Sequence, residues 1–427
     1  MSRGPMEAVL VGAGQRGFHI YGQWAVMNPN RLRFVAVADP DRARRERFAA
    51  VHGLTPADCF EDGREMLEGS ARAEACFVAS SDRNHHQPAI RGLLAGYEVL
   101  LEKPMAATLA AAAAVTAAAE AAGGRLHLAH VLRYTPFFET LHDTVVSGRL
   151  GDLVTVEHRE NIVAWHMAHS YVRGNWSRAE SSAPMIVAKC CHDFDLLHWN
   201  LADEIVGLAS FGSLFEFRPD RAPVGATPRC TDGCPVEDCP YDARRVYLDM
   251  SRTGWPVHVI TDDLGLEARL EALRSGPYGR CAYQAGSDVV DHQVVTMQTS
   301  AGTSVTLVMH GHSDREERTM RYDGTRATLR GTFGREQRLT VSDHVTGNSE
   351  EIPIEARAGG HGGGDSGLIE SFLASAESGD PPLTSASESL ESHLLAFMAE
   401  AARVEGRAID VSAARRDLES QVSNLKS

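Results

Sequence analysis

No stretch of this chain approaches the roughly 20 consecutive apolar residues that a membrane span needs. Basic residues are in deficit, 42 Lys and Arg against 57 Asp and Glu, for a formal charge of −15. That charge gives no electrostatic basis for binding nucleic acid or an anionic membrane surface. The first residues, Met1 to Pro5, run straight into a strand-like segment and leave no room for a signal peptide. A soluble, cytoplasmic protein is expected. Cysteine is scarce too, 8 in 427 residues, too few for a disulfide scaffold in a chain this long. What is plentiful is apolar residue, 43%, enough for a real core, and chain for about three domains.

The first 130 residues alternate short apolar runs (8–11, 32–38, 75–79, 98–101, 126–129) with helix-like stretches, the pattern of a doubly wound parallel sheet. The Ala-rich run from Thr108 to Ala122 reads as a crossover helix capped by Thr108. Beyond residue 133 strand alternation takes over, as in Val154 to Arg159, 294–297 and 304–309, which suggests a mixed or antiparallel sheet. The expected plan is α/β: an N-terminal nucleotide-binding domain (1–132), an α+β domain (133–365) with a largely antiparallel open sheet and a Cys- and Pro-rich insertion at about 218–285, and C-terminal helices (366–427) that pack back on the first domain.

Val11 to Gly17, VGAGQRG, follows the first strand directly and opens a helix. In that context the glycines have separate jobs: Gly12 makes the tight turn, Gly14 admits a pyrophosphate, and Gly17 lets helix and strand pack closely. The helix N-terminus, with Gln15 and Arg16, then faces the phosphates. Asp39 ends the second strand, 22 residues past Gly17, where an acid binds ribose hydroxyls. NAD is the expected cofactor, because a carboxylate repels a 2′-phosphate; Arg42, Arg44 and Arg45 nearby leave NADP open.

Glu102-Lys103-Pro104 stands just after the fifth strand, at the carboxyl edge where ligands of open α/β sheets collect. A Lys beside a nicotinamide ring is suited to take a proton from an alcohol as hydride leaves the carbon. With VGAGQRG, ADP at 38–40 and EKP at 102–104, the chain resembles the Gfo/Idh/MocA superfamily, named for glucose–fructose oxidoreductase and inositol dehydrogenase. The resemblance implies a Rossmann fold, NAD bound with help from Glu102 and Lys103, a catalytic role for Lys103, a small sugar or cyclitol substrate, and a homo-oligomer, dimer or tetramer, formed through the C-terminal sheet.

Pro184 to Trp199 reads as one helix with Ile186, Cys190, Phe194 and Leu197 as its apolar stripe, and with Lys189 and His192 one turn apart on another face. The segment resembles the family's catalytic-region helix, which assigns His192, Asp193 and Asp195 to the substrate site. It also departs from it. Inositol-type dehydrogenases carry an Asp four residues before the His, where this chain has Ala188 followed by Lys189. Lys189 is therefore expected to enter the proton relay with His192, one of the pair being held neutral as acceptor. In the superfamily's NAD-dependent glycosidases a Tyr base occupies the position of Lys189, and Gly360 to Asp365 resembles their HGG-x-D segment, making His361 a candidate substrate contact. Such an enzyme, working by transient C3 oxidation, elimination and water addition, is the alternative to a net dehydrogenase. Tyr171, Arg173 and Trp176 supply the aromatic surface and donors of a sugar pocket.

Cys230, Cys234 and Cys239, with Cys281 further on, have spacings near the upper end of those used for structural zinc. A closed four-sulfur zinc site stapling the insertion is expected.

Overall fold

The computed structural model describes residues 4–201 and 203–426. The first sheet is wholly parallel: β1 (Met6–Val11), β2 (Leu32–Ala38), β3 (Cys59–Phe60), β4 (Ala75–Val78), β5 (Glu98–Leu101) and β6 (Leu126–Leu128), in the order β3-β2-β1-β4-β5-β6. β4 is buried at all four residues, as an inner strand covered on both faces must be. The Ala-rich run forms a helix over Leu109–Ala121, and the Thr108 hydroxyl caps it by accepting from the Ala111 amide at 3.2 Å. The strand order reverses between β1 and β4, so their carboxyl ends open a crevice.

The second sheet has nine strands: β7 (Leu153–Val163), β8 (Ile205–Ser213), β9 (His292–Thr299), β10 (Ser304–Ser313), β11 (Glu317–Gly324), β12 (Ala327–Phe333), β13 (Gln337–Asp343), β14 (Ser349–Ile352) and β15 (Ile409–Asp410). Their order is β14-β13-β12-β11-β7-β10-β9-β8-β15. Every pair is antiparallel except β7 with β10, so the sheet is mixed but mostly antiparallel, as its alternation foretold. β7 turns Val156, His158 and Glu160 inward together, which places two polar side chains in the core beneath the 184–200 segment.

The last helices, Gly364–Ser378, Ala386–Glu405 and Val411–Lys426, return to the first sheet. Phe372 meets Phe77 edge-on at 5.2 Å, His393 Nε2 accepts from the Met105 amide at 2.9 Å, and Lys426 pairs with Glu120. Among the described residues no helix is long and apolar enough to cross a membrane.

Candidate active site

At the end of β1 the chain turns at Gly12, with φ +94°, where a Cβ would lie 2.6 Å from the Ala79 and Ser80 backbone. A Cβ on Gly17 would come within 1.9 Å of the Gly12 carbonyl oxygen, so that glycine is what brings helix and strand together. Gly14 differs: a Cβ there meets nothing nearer than Arg44 Nη1 at 3.9 Å, because it faces a cavity of about 1280 Å³. That exceeds the roughly 300–1,000 Å³ of an ordinary small-molecule pocket and suits an extended dinucleotide. Gly12, Gly14, Gln15, Arg16 and Asp39 line it.

Asp39 is oriented by the fingerprint turn itself. Its Oδ2 accepts from the Ala13 amide at 2.7 Å and its Oδ1 from the Asp41 amide at 2.8 Å, leaving further lone pairs for a ribose diol. Of the three nearby arginines only Arg44 reaches the cavity wall; Arg42 pairs with Glu46, and Arg45 donates to the Asp39 carbonyl. These residues fit a dinucleotide.

Arg16 joins this turn to the carboxyl edge of β5. Its Nε donates to Glu102 Oε1 at 2.5 Å and its Nη1 to Asp365 Oδ1 at 2.8 Å, while the Tyr21 hydroxyl donates to Glu102 at 2.6 Å. Burial opposes ionisation of both carboxyls, but Arg16 outweighs it and holds them below their ordinary values. Beside Glu102, the Lys103 ammonium donates to the Ala188 carbonyl at 2.9 Å and lies 6.0 Å from the ring centre of Trp176. Trp176 is a cavity wall, held by its indole N–H on Asp82 at 2.9 Å.

The segment expected to be one helix is two, Met185–Ala188 and Cys191–Asn200, broken at Lys189 and Cys190. The apolar stripe is buried as expected, but the break sends Lys189 and His192 to different partners. Lys189 Nζ lies 3.2 Å from the buried Glu160 and 3.6 Å from Glu316. Burial opposes its charge, yet the two carboxylates raise it above the ordinary lysine value. Of the two outcomes expected for this pair, Lys189 is the paired cation. His192 is the neutral member, held well below its ordinary value by burial and then by the charge of Lys103. Its Nδ1 faces His130 Nδ1 at 3.5 Å.

The two aspartates after His192 are also committed to structure. Asp193 binds His158 and Arg318, each at 2.8 Å, and Asp195 takes both arms of Arg133 at 2.7 Å, against its expected place as a substrate contact. Arg173 likewise turns away from the cavity, donating to the carbonyls of Arg280 at 2.7 Å and Tyr241 at 2.6 Å. Tyr171 is buried with its ring 5.7 Å from that of Trp176. His361 stands at φ +50°, the one non-glycine residue with positive φ among those described, and pairs with Asp365 at 3.1 Å. Sequence reasoning missed His130, Glu160, Arg318, Asp82 and the 258–262 stretch of the insertion, which lines the cofactor cavity and sets His258 Nε2 2.5 Å from Gln15 Oε1.

The zinc expectation is not met. Cys230, Cys234, Cys239 and Cys281 do border one small pocket, but all four are free thiols, and among the described residues no three His, Cys, Asp or Glu side chains are placed to hold a metal ion. The sulfurs have other company: Cys230 Sγ accepts from the Ala243 amide at 3.5 Å and from Arg173 at 3.8 Å. Backbone bonds staple the insertion instead, Cys230 N to Gly279 O at 2.9 Å and Cys281 N to Pro228 O at 2.8 Å, reinforced by Arg173.

Residues 6–130 match the oxidoreductase family described as an NAD-binding Rossmann fold, and residues 143–411 match its C-terminal alpha/beta domain. YteT of Bacillus subtilis, whose name assigns it provisionally to the oxidoreductases, is 25% identical over 79% of this chain and 80% of its own. Inositol 2-dehydrogenase 1 of Saccharopolyspora erythraea is 32% identical over 41% of this chain, a match spanning 48% of that enzyme. Among solved structures, an Agrobacterium radiobacter oxidoreductase in complex with NAD+, L-tartaric acid and magnesium superposes with TM-score 0.68 at 15% identity, covering 96% of this chain and 99% of that one. The scyllo-inositol dehydrogenase of Lactobacillus casei does so with TM-score 0.65 at 17% identity, covering 96% and 100%. Both family domains in their order, on this fold, settle the matter: the chain belongs to the Gfo/Idh/MocA family of NAD-binding oxidoreductases.

Proposed function

We propose that the protein oxidises a secondary hydroxyl of a sugar, a sugar derivative or a cyclitol with NAD as cofactor. Gly14, Gln15, Arg16 and Asp39 hold the dinucleotide, which supplies a hydride acceptor when bound. Lys103 takes the hydroxyl proton as a neutral amine, once its ammonium has passed a proton to neutral His192, which also orients the hydroxyl. The observation that carries this reading is Lys103 itself, at the carboxyl edge of β5 with its ammonium against the Trp176 wall and its charge felt by a buried, neutral His192. The inositol dehydrogenases among the relatives support the substrate class. A glycosidase of the transient-oxidation type would put its base at the position of Lys189, whose ammonium is occupied by two carboxylates; net oxidation is therefore the reading we carry. The outer face of the second sheet, where Phe211 is 73% exposed, is the surface through which a dimer or tetramer would form.

The test is reduction of NAD across a panel of inositols, aldoses, sugar acids and glycosides. At least one is expected to reduce NAD, and Lys103→Met to lower that turnover by about 10² or more. A panel in which glycosides are cleaved without net NADH, and nothing is oxidised, would overturn it.

A further inference from the structure

Behind His192 a line of buried polar side chains runs into the helix Ala386–Glu405, and each hydrogen along it is determined by its neighbours. The Met105 amide donates to His393 Nε2 at 2.9 Å, so that nitrogen carries no hydrogen and the His393 proton sits on Nδ1, given to the Ser389 carbonyl at 2.7 Å. The Ser392 hydroxyl donates to the same carbonyl at 2.8 Å, its shortest contact. With that hydrogen spent, the Ser392 oxygen presents lone pairs to His130 Nε2 at 3.3 Å. Asp195 Oδ1, 3.7 Å from the same nitrogen, also favours a hydrogen there. His130 is buried and, like His192, held neutral, first by burial and then by the charge of its neighbours. A neutral ring protonated at Nε2 is bare at Nδ1, the atom that faces His192 Nδ1.

We propose that His130 is a positioning residue that fixes His192 as the Nδ1–H tautomer, leaving His192 Nε2 as a preset proton acceptor at the reacting end of the site. Among the described residues nothing else hydrogen-bonds His192, so its tautomer rests on this contact. The role of that acceptor rests on the dehydrogenase reading above; the tautomer itself does not.

Nitrogen-15 NMR of the whole protein labelled at histidine reads the tautomers directly. His192 and His393 are expected protonated at Nδ1, and His130 at Nε2. His130→Asn, which offers a carboxamide oxygen where Nδ1 stood, should keep the His192 tautomer and most of the turnover. His130→Leu should release His192 into a mixture of tautomers and lower kcat by about 10², with KM and NAD affinity little changed. A wild-type His192 protonated at Nε2 would overturn the proposal without any variant having to fold, and so would full activity in His130→Leu. If the tautomers are as stated and no hydroxyl substrate is ever oxidised, the functional reading fails and the relay stands.

Discussion

The guanidinium of Arg16 reaches Asp365 across 349 positions of sequence, with Nη1 2.8 Å from Oδ1, and so fastens the dinucleotide turn to the glycine-rich 360–364 loop. Because the carboxylate is nearly buried, Asp365→Ala leaves part of a buried cation unpaired. It should cost about 1.5–3 kcal/mol of stability and weaken NAD binding together. Thermal denaturation and calorimetric titration of the same sample check both; unchanged NAD affinity would detach the loop from the cofactor site.

Gly14 and Gly17 should fail in opposite ways. A side chain on Gly14 enters the cavity and touches little protein, so Gly14→Val should fold normally and lose NAD binding. Gly17→Ala collides with backbone at 1.9 Å and should lose stability before it loses ligand. Melting curves with and without NAD separate them.

Lys103→Met should bind NAD nearly as wild type while kcat falls by about 10² or more, the usual cost of removing a general base. Stopped-flow and equilibrium titration on one preparation measure both quantities.

Lys189 and His192 should diverge. Lys189→Ala strips one of two cations from the buried Glu160, which keeps Arg318, and should destabilise by about 1.5–3 kcal/mol, with activity falling only as folded protein is lost. His192→Ala should melt near wild type and turn over poorly. Denaturant titration beside kcat decides; a stable, inactive Lys189→Ala would restore it to the proton relay.

Stability should fall with acid before the ion-paired carboxylates of Glu102 and Asp365 protonate. Burial lowers the imidazoles of His127 and His393 to about 4 in the folded protein, against about 6.5 unfolded. A depressed histidine binds more protons when unfolded, so its neutral form is tolerated in full above about pH 6.5 and penalised progressively below it, by about 2 kcal/mol per ring near pH 5. The ion pairs of Glu102 and Asp365, whose folded values are depressed, persist through that window and are lost only at stronger acid. Melting temperature between pH 7 and pH 4.5 tests the order.

The features legible in sequence were those set by short-range rules. Gly12, Gly14 and Gly17 have distinct backbone duties that spacing alone exposes, Asp39 ends a strand that alternation locates, and Lys103 follows another. The separate partners of Lys189 and His192 escaped because a helical period presumes an unbroken helix, whereas the helix breaks at Lys189 and Glu160 on β7 pairs with the ammonium. A signal for that was present: in β7 the pleat aligns Val156, His158 and Glu160, and two polar groups on an inward face demand partners. Arg173 and the four cysteines misled for a related reason. Spacing along the chain cannot say that the Cys230 sulfur already serves an amide and a guanidinium.

The insertion that borders the cofactor cavity also makes its own order depend on what the cavity holds. His258 against Gln15, and Asp262 paired with Arg47, join the 257–262 stretch to the first domain. A dinucleotide gripped between the two must tighten that junction by the free energy with which the junction tightens the dinucleotide. Protease nicking of the insertion should therefore slow as NAD is added, following the same saturation curve as binding, and a chain already nicked there should release NAD faster.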